Sequence, residues 1–163
     1  EWTANTTTSN PIPIVDTAAT TILNNSGFKP NYGIMPRATV VAVKNHISVL
    51  DRTKYTSKDM SIEIMKGLFD LGEILEGIGS YDTAARGLAA SVTPFWDDFM
   101  FVGYKPANPG PRVPASGYIF RKMTPPVYRY EVPERRCEAI EVEEKYVAKI
   151  VASLTGYLIG NTQ

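Results

Sequence analysis

GFKPNYGIMPRATVVAVKNHISVLDRTKY, residues 27–55, reads as a short strand laid against the helix that follows it. Gly27 suits the left-handed conformation that closes a preceding helix, Pro30 and Asn31 turn the chain, and Tyr32 to Met35 is an apolar run of strand length. Pro36 suits a first helical position. Val40, Val41 and Val43, although β-branched and weak helix formers, offer apolar contacts toward the strand before them. The polar residues of the stretch, Lys44, Asn45, His46, Asp51, Arg52 and Lys54, fall at helix ends and in a turn.

Upstream, Asn10 can cap a helix starting at Pro11, with Ile14, Val15, Ala18, Ala19, Ile22 and Leu23 on one face and an end near Ser26. Downstream, Ile47 to Leu50 adds a short helical turn. Thr56 with Asp59 resembles a capping box opening a helix of about three turns through Met60, Ile64, Met65 and Leu68. Glu73 to Ser80 reads as a strand interrupted by Gly77 and Gly79, and Tyr81 to Phe95 as a loop. Phe99 to Tyr104 is continuously apolar, as expected of a strand covered on both faces. Pro106, Pro109, Pro111 and Pro114 then forbid regular structure, which predicts a linker or an arm lying on a neighbour. The last third predicts short strands at Tyr118 to Phe120, Tyr128 to Val132, Arg135 to Val142, Val147 to Val151 and Tyr157 to Ile159. In the third of these Arg136, Glu138, Ile140 and Val142 face one way and Arg135, Cys137, Ala139 and Glu141 the other, so neither face is cleanly apolar. Such strands are solvated on one side or pair with charges on another chain.

The 163 residues suit one domain that buries about two thirds of its unfolded surface, without a metal or disulfide staple. Seventeen basic and seventeen acidic side chains cancel, so no broad attraction to nucleic acid or membrane is built in. Cys137 is the single cysteine, which excludes an internal disulfide and a cysteine-rich zinc site, and His46 is the single histidine. No apolar run approaches the roughly 20 residues of a membrane span and no charged-then-apolar leader opens the chain, which reads as soluble and not secreted through a signal of its own. The first residues, a Thr/Asn/Ser-rich stretch around Trp2, read as cut from something longer.

Few residues suggest chemistry. Asp97 and Asp98, with Asp70, Glu73 and Glu76, could form a carboxylate pair for glycoside hydrolysis, but they read more simply as charges flanking buried strands. His46 follows Lys44 and Asn45 at a helix C-terminus with no serine or cysteine motif beside it. Neither glycine pattern of a nucleotide cradle follows a predicted strand, so no cofactor is expected. Tyr128, Arg129, Tyr130, Arg135 and Arg136 could stack on a single nucleic-acid strand, yet Glu131, Glu134, Glu138, Glu141, Glu143 and Glu144 interleave with them and favour ion pairs in the sheet or across an interface. Cys137 reads as a small strand residue.

Four stretches in order carry a resemblance: Asn10, Pro11 and Ile12 opening a helix that ends at Gly27; Lys29, Pro30 and Asn31 with Lys44 to His46 and Leu50 to Arg52; Phe99 to Tyr104 ahead of prolines; and Arg135 to Glu141 followed by Gly156 to Ile159. Together they resemble the C-terminal part of tailed-bacteriophage major capsid proteins with the HK-ninety-seven-like (Hong Kong phage) fold. The resemblance implies an α+β fold, in which a mixed central sheet with flanking helices forms an axial domain at residues 10–118. An irregular segment at 1–9 precedes it, and strands of a peripheral domain follow at 119–163. It implies a structural protein without catalytic residues, a head subunit that self-assembles around DNA into an icosahedral shell of hexamers and pentamers. Such a protein belongs to the virion, and to the host cytoplasm during assembly. The partners implied are other copies of itself, with scaffold or decoration proteins possible, and neither sequence-specific nucleic acid nor membrane. Arg52, Lys54 and Tyr55, together with Arg135, Arg136 and Glu141, are the candidate inter-subunit contacts. The rival readings are a small α+β enzyme using Asp97 or Asp98 and a binding module from another virion part.

Overall fold

The computed structural model describes Trp2, residues 9–54, 61–96, 98–110, 112–122 and 126–162, apart from the side chain of Arg135. The chain forms an α+β fold divided into two units, Glu1–Ser116 with Ala152–Gln163, and Gly117–Val151.

In the first unit, helix α1 spans Pro11–Ser26. Asn10 Oδ1 accepts from Ile12 N–H at 3.1 Å, and Gly27, at φ 74°, closes the helix by donating its N–H to Leu23 O at 2.8 Å. Ile12, Val15, Ala18 and Ile22 are buried, a narrower face than the spacing predicts, because Leu23 stays exposed at the last turn and Ile14 and Ala19 lie on the rim. Strand β1, Tyr32–Pro36, follows, and helix α2 covers Arg37–Asn45 with Pro36 as its N-cap, so that it starts one residue later than expected. Val41 is exposed, and Thr39 takes the inward place, its Oγ1 2.8 Å from Thr162 Oγ1.

His46 joins α2 to helix α3, Ile47–Thr53, which is longer than the single turn expected. The imidazole is fully buried: Nδ1 accepts from Ser48 N–H at 3.2 Å and caps α3, while Nε2 lies 3.4 Å from Ser9 Oγ. This pattern requires a neutral ring protonated on Nε2, and burial lowers its pKa below 6.5. The unfolded chain therefore takes up the proton first, so this contribution to stability is complete above about pH 6.5 and is lost as the pH falls toward the lower native value. Thermal melts from about pH 7 to 5.5 should fall in Tm, and His46→Asn, which keeps a capping acceptor without a titrating ring, should flatten that slope. An unchanged slope in the variant would place the titration elsewhere.

Helix α4, Ile62–Leu68, is seven residues long, shorter than expected, and its proposed start signal at Thr56 and Asp59 lies outside the described residues. Strand β2, Glu73–Gly77, ends before Ile78 and Gly79; the expected continuation to Ser80 instead opens a separate hairpin, β3 (Ser80–Asp82) with β4 (Val92–Pro94). Strand β5 is Phe99–Gly103. Skipping over the second unit, the last strand, Gly156–Gly160, expected among the late strands, returns to this sheet as its edge. That edge strand runs antiparallel to β5, β5 antiparallel to β1, and β1 parallel to β2 across the α2–α4 crossover. Met35, Met100 and Val102 meet Ile12, Val15 and Ile22 of α1, Val40 and Val43 of α2, and Met65 and Phe69 in the core. Only one face of β5 is fully covered. Phe99 and Phe101 on the other face are exposed and half-buried.

In the second unit, β6 (Gly117–Arg121) pairs antiparallel with β9 (Tyr146–Ile150), and β7 (Val127–Val132) with β8 (Cys137–Val142), leaving the edge strand of the first unit as β10. Backbone bonds from Lys122 N–H to Lys145 O and from Glu143 N–H to Pro126 O bridge the two ladders, so the unit is a two-stranded ribbon. A one-turn 3-10 segment, Pro133–Arg135, and Arg136 at φ 49° make its tip, which moves Arg135 and Arg136 out of the strand predicted to contain them. None of its described residues is buried.

Candidate functional site

The six sequence-derived contact residues divide between the two units. Arg52 lies in the last turn of α3 rather than after it, while Lys54, at the C-cap, is in the turn expected there, and both are exposed. Tyr55 lies outside the described residues. Arg136 occupies the ribbon tip, and Glu141 stands on β8 opposite Tyr128. Arg135 has its backbone in the tip turn and its side chain outside the described residues.

The register of the ribbon puts Val127 opposite Val142 and Arg129 opposite Ile140 on one face, with Tyr128, Tyr130 and Val132 on the other. Ile140 and Val142 are 60% and 61% exposed, and Ile150 is 80% exposed, in a unit whose described residues include no buried one. A two-stranded ribbon in water is marginal at best, and an exposed apolar strand face of this kind is characteristic of an interaction surface. The charges behave similarly. Glu143 pairs with Lys145 and Glu144 with Arg121, whereas Arg129, Glu131, Glu138 and Glu141 have no ion-pair partner among the described residues, and Glu131 directly faces Glu138. Like charges directly opposite cost stability, which a cation from a second chain would offset.

The carboxylates of the rival reading do not gather. Asp97 lies outside the described residues, and Asp98, at φ 42°, sits in the turn before β5 with its carbonyl accepting from Thr162 N–H. The others are engaged singly: Asp70 with Lys29 at 2.5 Å, Glu73 with Lys105 at 2.7 Å and Glu76 with Arg37 at 3.3 Å. The hydrogen bond and charge of Lys105 hold the Glu73 carboxyl below its usual range.

Sequence reasoning missed a second surface, the β3–β4 hairpin. The loop that joins its strands closes on one carboxylate: Asp82 Oδ1 accepts from Ala84 N–H and Ser91 N–H, both at 2.9 Å. Thr83 N–H donates to Ser91 O at 2.8 Å, and Tyr81 stacks on Phe95 with ring centroids 5.0 Å apart. Asp82 placed before a run of small residues was the available signal, since an aspartate can gather backbone donors across a loop. Leu88, at the loop tip, is 72% exposed. The hairpin base borders a crevice of about 570 Å³ at the ends of β1 and β2, lined by Pro36, Arg37, Glu76, Ile78, Pro94 and Trp96.

Donation from Ala84 and Ser91 holds the Asp82 carboxyl below its usual range. The depressed value means that the loop closure is present above the unfolded-chain value near pH 3.9 and is lost as the pH falls through the lower native one. At neutral pH, Asp82→Ala should raise hydrogen exchange at the Ala84 and Ser91 amides while leaving the core amides of β5 protected. Unchanged exchange at both would mean that the carboxylate is not the clamp.

No family model matches the chain. It is 23% identical over 158 residues to the major capsid protein of Burkholderia phage BcepMu, an alignment covering 93% of this chain and 50% of that protein. A crystal structure of a phage-related protein from Bordetella bronchiseptica RB50 matches with a TM-score of 0.89 and 28% identity over 99% of this chain and 54% of that one. The chain thus spans about half the length of these relatives.

Proposed function

We propose that this chain is part of a bacteriophage major capsid subunit of the HK-ninety-seven-like type, whose full-length form self-assembles into an icosahedral head around DNA. The observation that carries the reading is the likeness to a phage major capsid protein over 93% of the chain, joined to a ribbon without a core. A shell explains the ribbon physically: repetition of one subunit supplies a partner for every apolar strand, and each contact need only be modest because it recurs. The role is structural, its partners are copies of itself in pentamers and hexamers, and its place is the virion. Arg52, Lys54 and Tyr55, with Arg135, Arg136 and Glu141, are the proposed charged and aromatic contacts, setting register more than affinity.

Electron microscopy of the full-length gene product, expressed alone and with its neighbouring genes, tests the proposal. Closed shells or rings are expected, with Arg52→Glu or Arg136→Glu lowering their yield without changing the melting of the subunit. A product that stays monomeric under both conditions overturns the reading and favours a binding module.

A further inference from the structure

We propose that the loop at the tip of the β3–β4 hairpin, residues 83–91, docks head to tail into the crevice at the hairpin base of a second copy, with Leu88 as its apolar knob and Arg86 meeting Glu76. The inference rests on the self-assembly proposed above and names one of its contacts. It starts from a loop ordered before it binds. Asp82 and the Thr83–Ser91 bond close its neck, Leu88 N–H donates to Ala85 O at 3.0 Å within it, and so little further ordering entropy opposes docking. Such a loop holds a leucine in water among Ala85, Ala89 and Ala90, all exposed, where it does nothing for its own fold.

The receiving surface lies on the same unit but out of the loop's own reach. Ser80 and Pro94, the first ladder pair, border the crevice, and the ladder runs three pairs outward to Asp82 and Val92. At about 3.4 Å per residue the strands alone carry the loop some 7 Å from the base, and none of residues 83–91 lines the crevice. The crevice is walled by Pro36, Ile78, Pro94 and the Trp96 ring, and its volume of about 570 Å³ admits a leucine with its flanking alanines. At its polar side Glu76 Oε1 meets Arg37 at 3.3 Å, leaving the second carboxylate oxygen for another donor. Arg86 on the loop has no ion-pair partner among the described residues. Knob and hole are different patches of one surface, so the contact is heterologous and propagates from copy to copy until rotation closes a ring.

Disulfide trapping in the full-length protein tests this, with Cys137→Ser removing the exposed thiol of this sequence and any cysteine outside it likewise changed to serine. On mild oxidation the double variant Leu88→Cys, Ile78→Cys should give a ladder of covalent oligomers, and either single variant alone should give none. Leu88→Asp should lower the yield of rings or shells about tenfold or more, at an unchanged subunit Tm because the side chain is exposed. Trp96 fluorescence should shift to shorter wavelength on assembly and remain unshifted in Leu88→Asp. Shells that form without the cross-link, a Leu88→Cys variant that couples to itself, or full assembly of Leu88→Asp would each overturn the docking while leaving the capsid reading in place. Absence of any assembly in the wild-type protein overturns both.

Discussion

Phe69→Ala should cost the first unit about 3–5 kcal/mol, the largest loss expected from any single truncation discussed for this chain. Phe69 is 1% exposed at the C-cap of α4, its N–H donating to Met65 O at 3.0 Å, and its ring belongs to the core that joins this short helix to the sheet. With seven residues, α4 has little helical stability of its own, so packing holds it and removing the ring leaves both a cavity and a loose helix. Against a typical stability of about 5–15 kcal/mol the variant approaches unfolding at ordinary temperature. Phe69→Leu, which keeps most of the apolar volume, should lose much less, about 1.5 kcal/mol or less. Urea titrations of both variants provide the comparison. A loss below about 1 kcal/mol for the alanine variant would show that the site collapses around the gap or that α4 is not held there.

Gly103→Ala should destabilise by about 1–2 kcal/mol, although alanine restricts the unfolded chain and would by that effect alone stabilise by about 0.4–1 kcal/mol. Gly103 and Gly156 face each other across β5 and β10, and the Phe101 ring lies over both. A methyl on Gly103 would come within 2.7 Å of Ser116 Oγ, 2.8 Å of Phe101 Cε1 and 3.1 Å of Tyr32 Cε1. Ser116 cannot yield cheaply. Its hydroxyl donates to Thr155 O at 2.9 Å and accepts from Tyr104 N–H at 3.2 Å, bonds that tie the strand ends together. The clash therefore outweighs the chain-entropy gain. Combining Gly103→Ala with Phe101→Leu should cost less than the sum of the two single changes, because the smaller side chain frees one wall of the site. Strict additivity in thermal or urea melts would mean that the ring is not the obstacle.

The elements legible from sequence were those with local causes. Asn10, Pro11 and Gly27 delimit α1 by hydrogen bonding and backbone conformation that involve only neighbouring residues, and Tyr32 to Met35 and Phe99 to Tyr104 are apolar runs long enough to announce strands. What escaped had a weak local signal or depended on partners far away in the chain. The β3–β4 hairpin hangs on one carboxylate and two backbone amides, a signal too short to distinguish from any loop aspartate. On α2 Thr39 rather than Val41 lies inward, where its hydroxyl meets that of Thr162, 123 residues further on. Arg52, Lys54, Arg136 and Glu141 are exposed charges, as their residue types suggest, but the sequence reads Arg135 and Arg136 as the start of a strand because alternation alone does not mark where a turn ends.

By itself the sequence determined the α+β class, the first helix and its caps, the strand-then-helix unit at its start, and the lack of a single strong motif for chemistry. Those follow from residue types acting over a turn or a few positions, where hydrogen bonding and side-chain periodicity are local. Tertiary structure alone decided that the last strand returns to pair with β5, that the ribbon at residues 117–151 has no buried residue among those described, and that a solvated leucine and an apolar crevice lie at opposite ends of one hairpin. Strand partnership and burial are properties of pairs distant in the chain, and an apolar residue reads identically in sequence whether its cover comes from its own core or from another molecule.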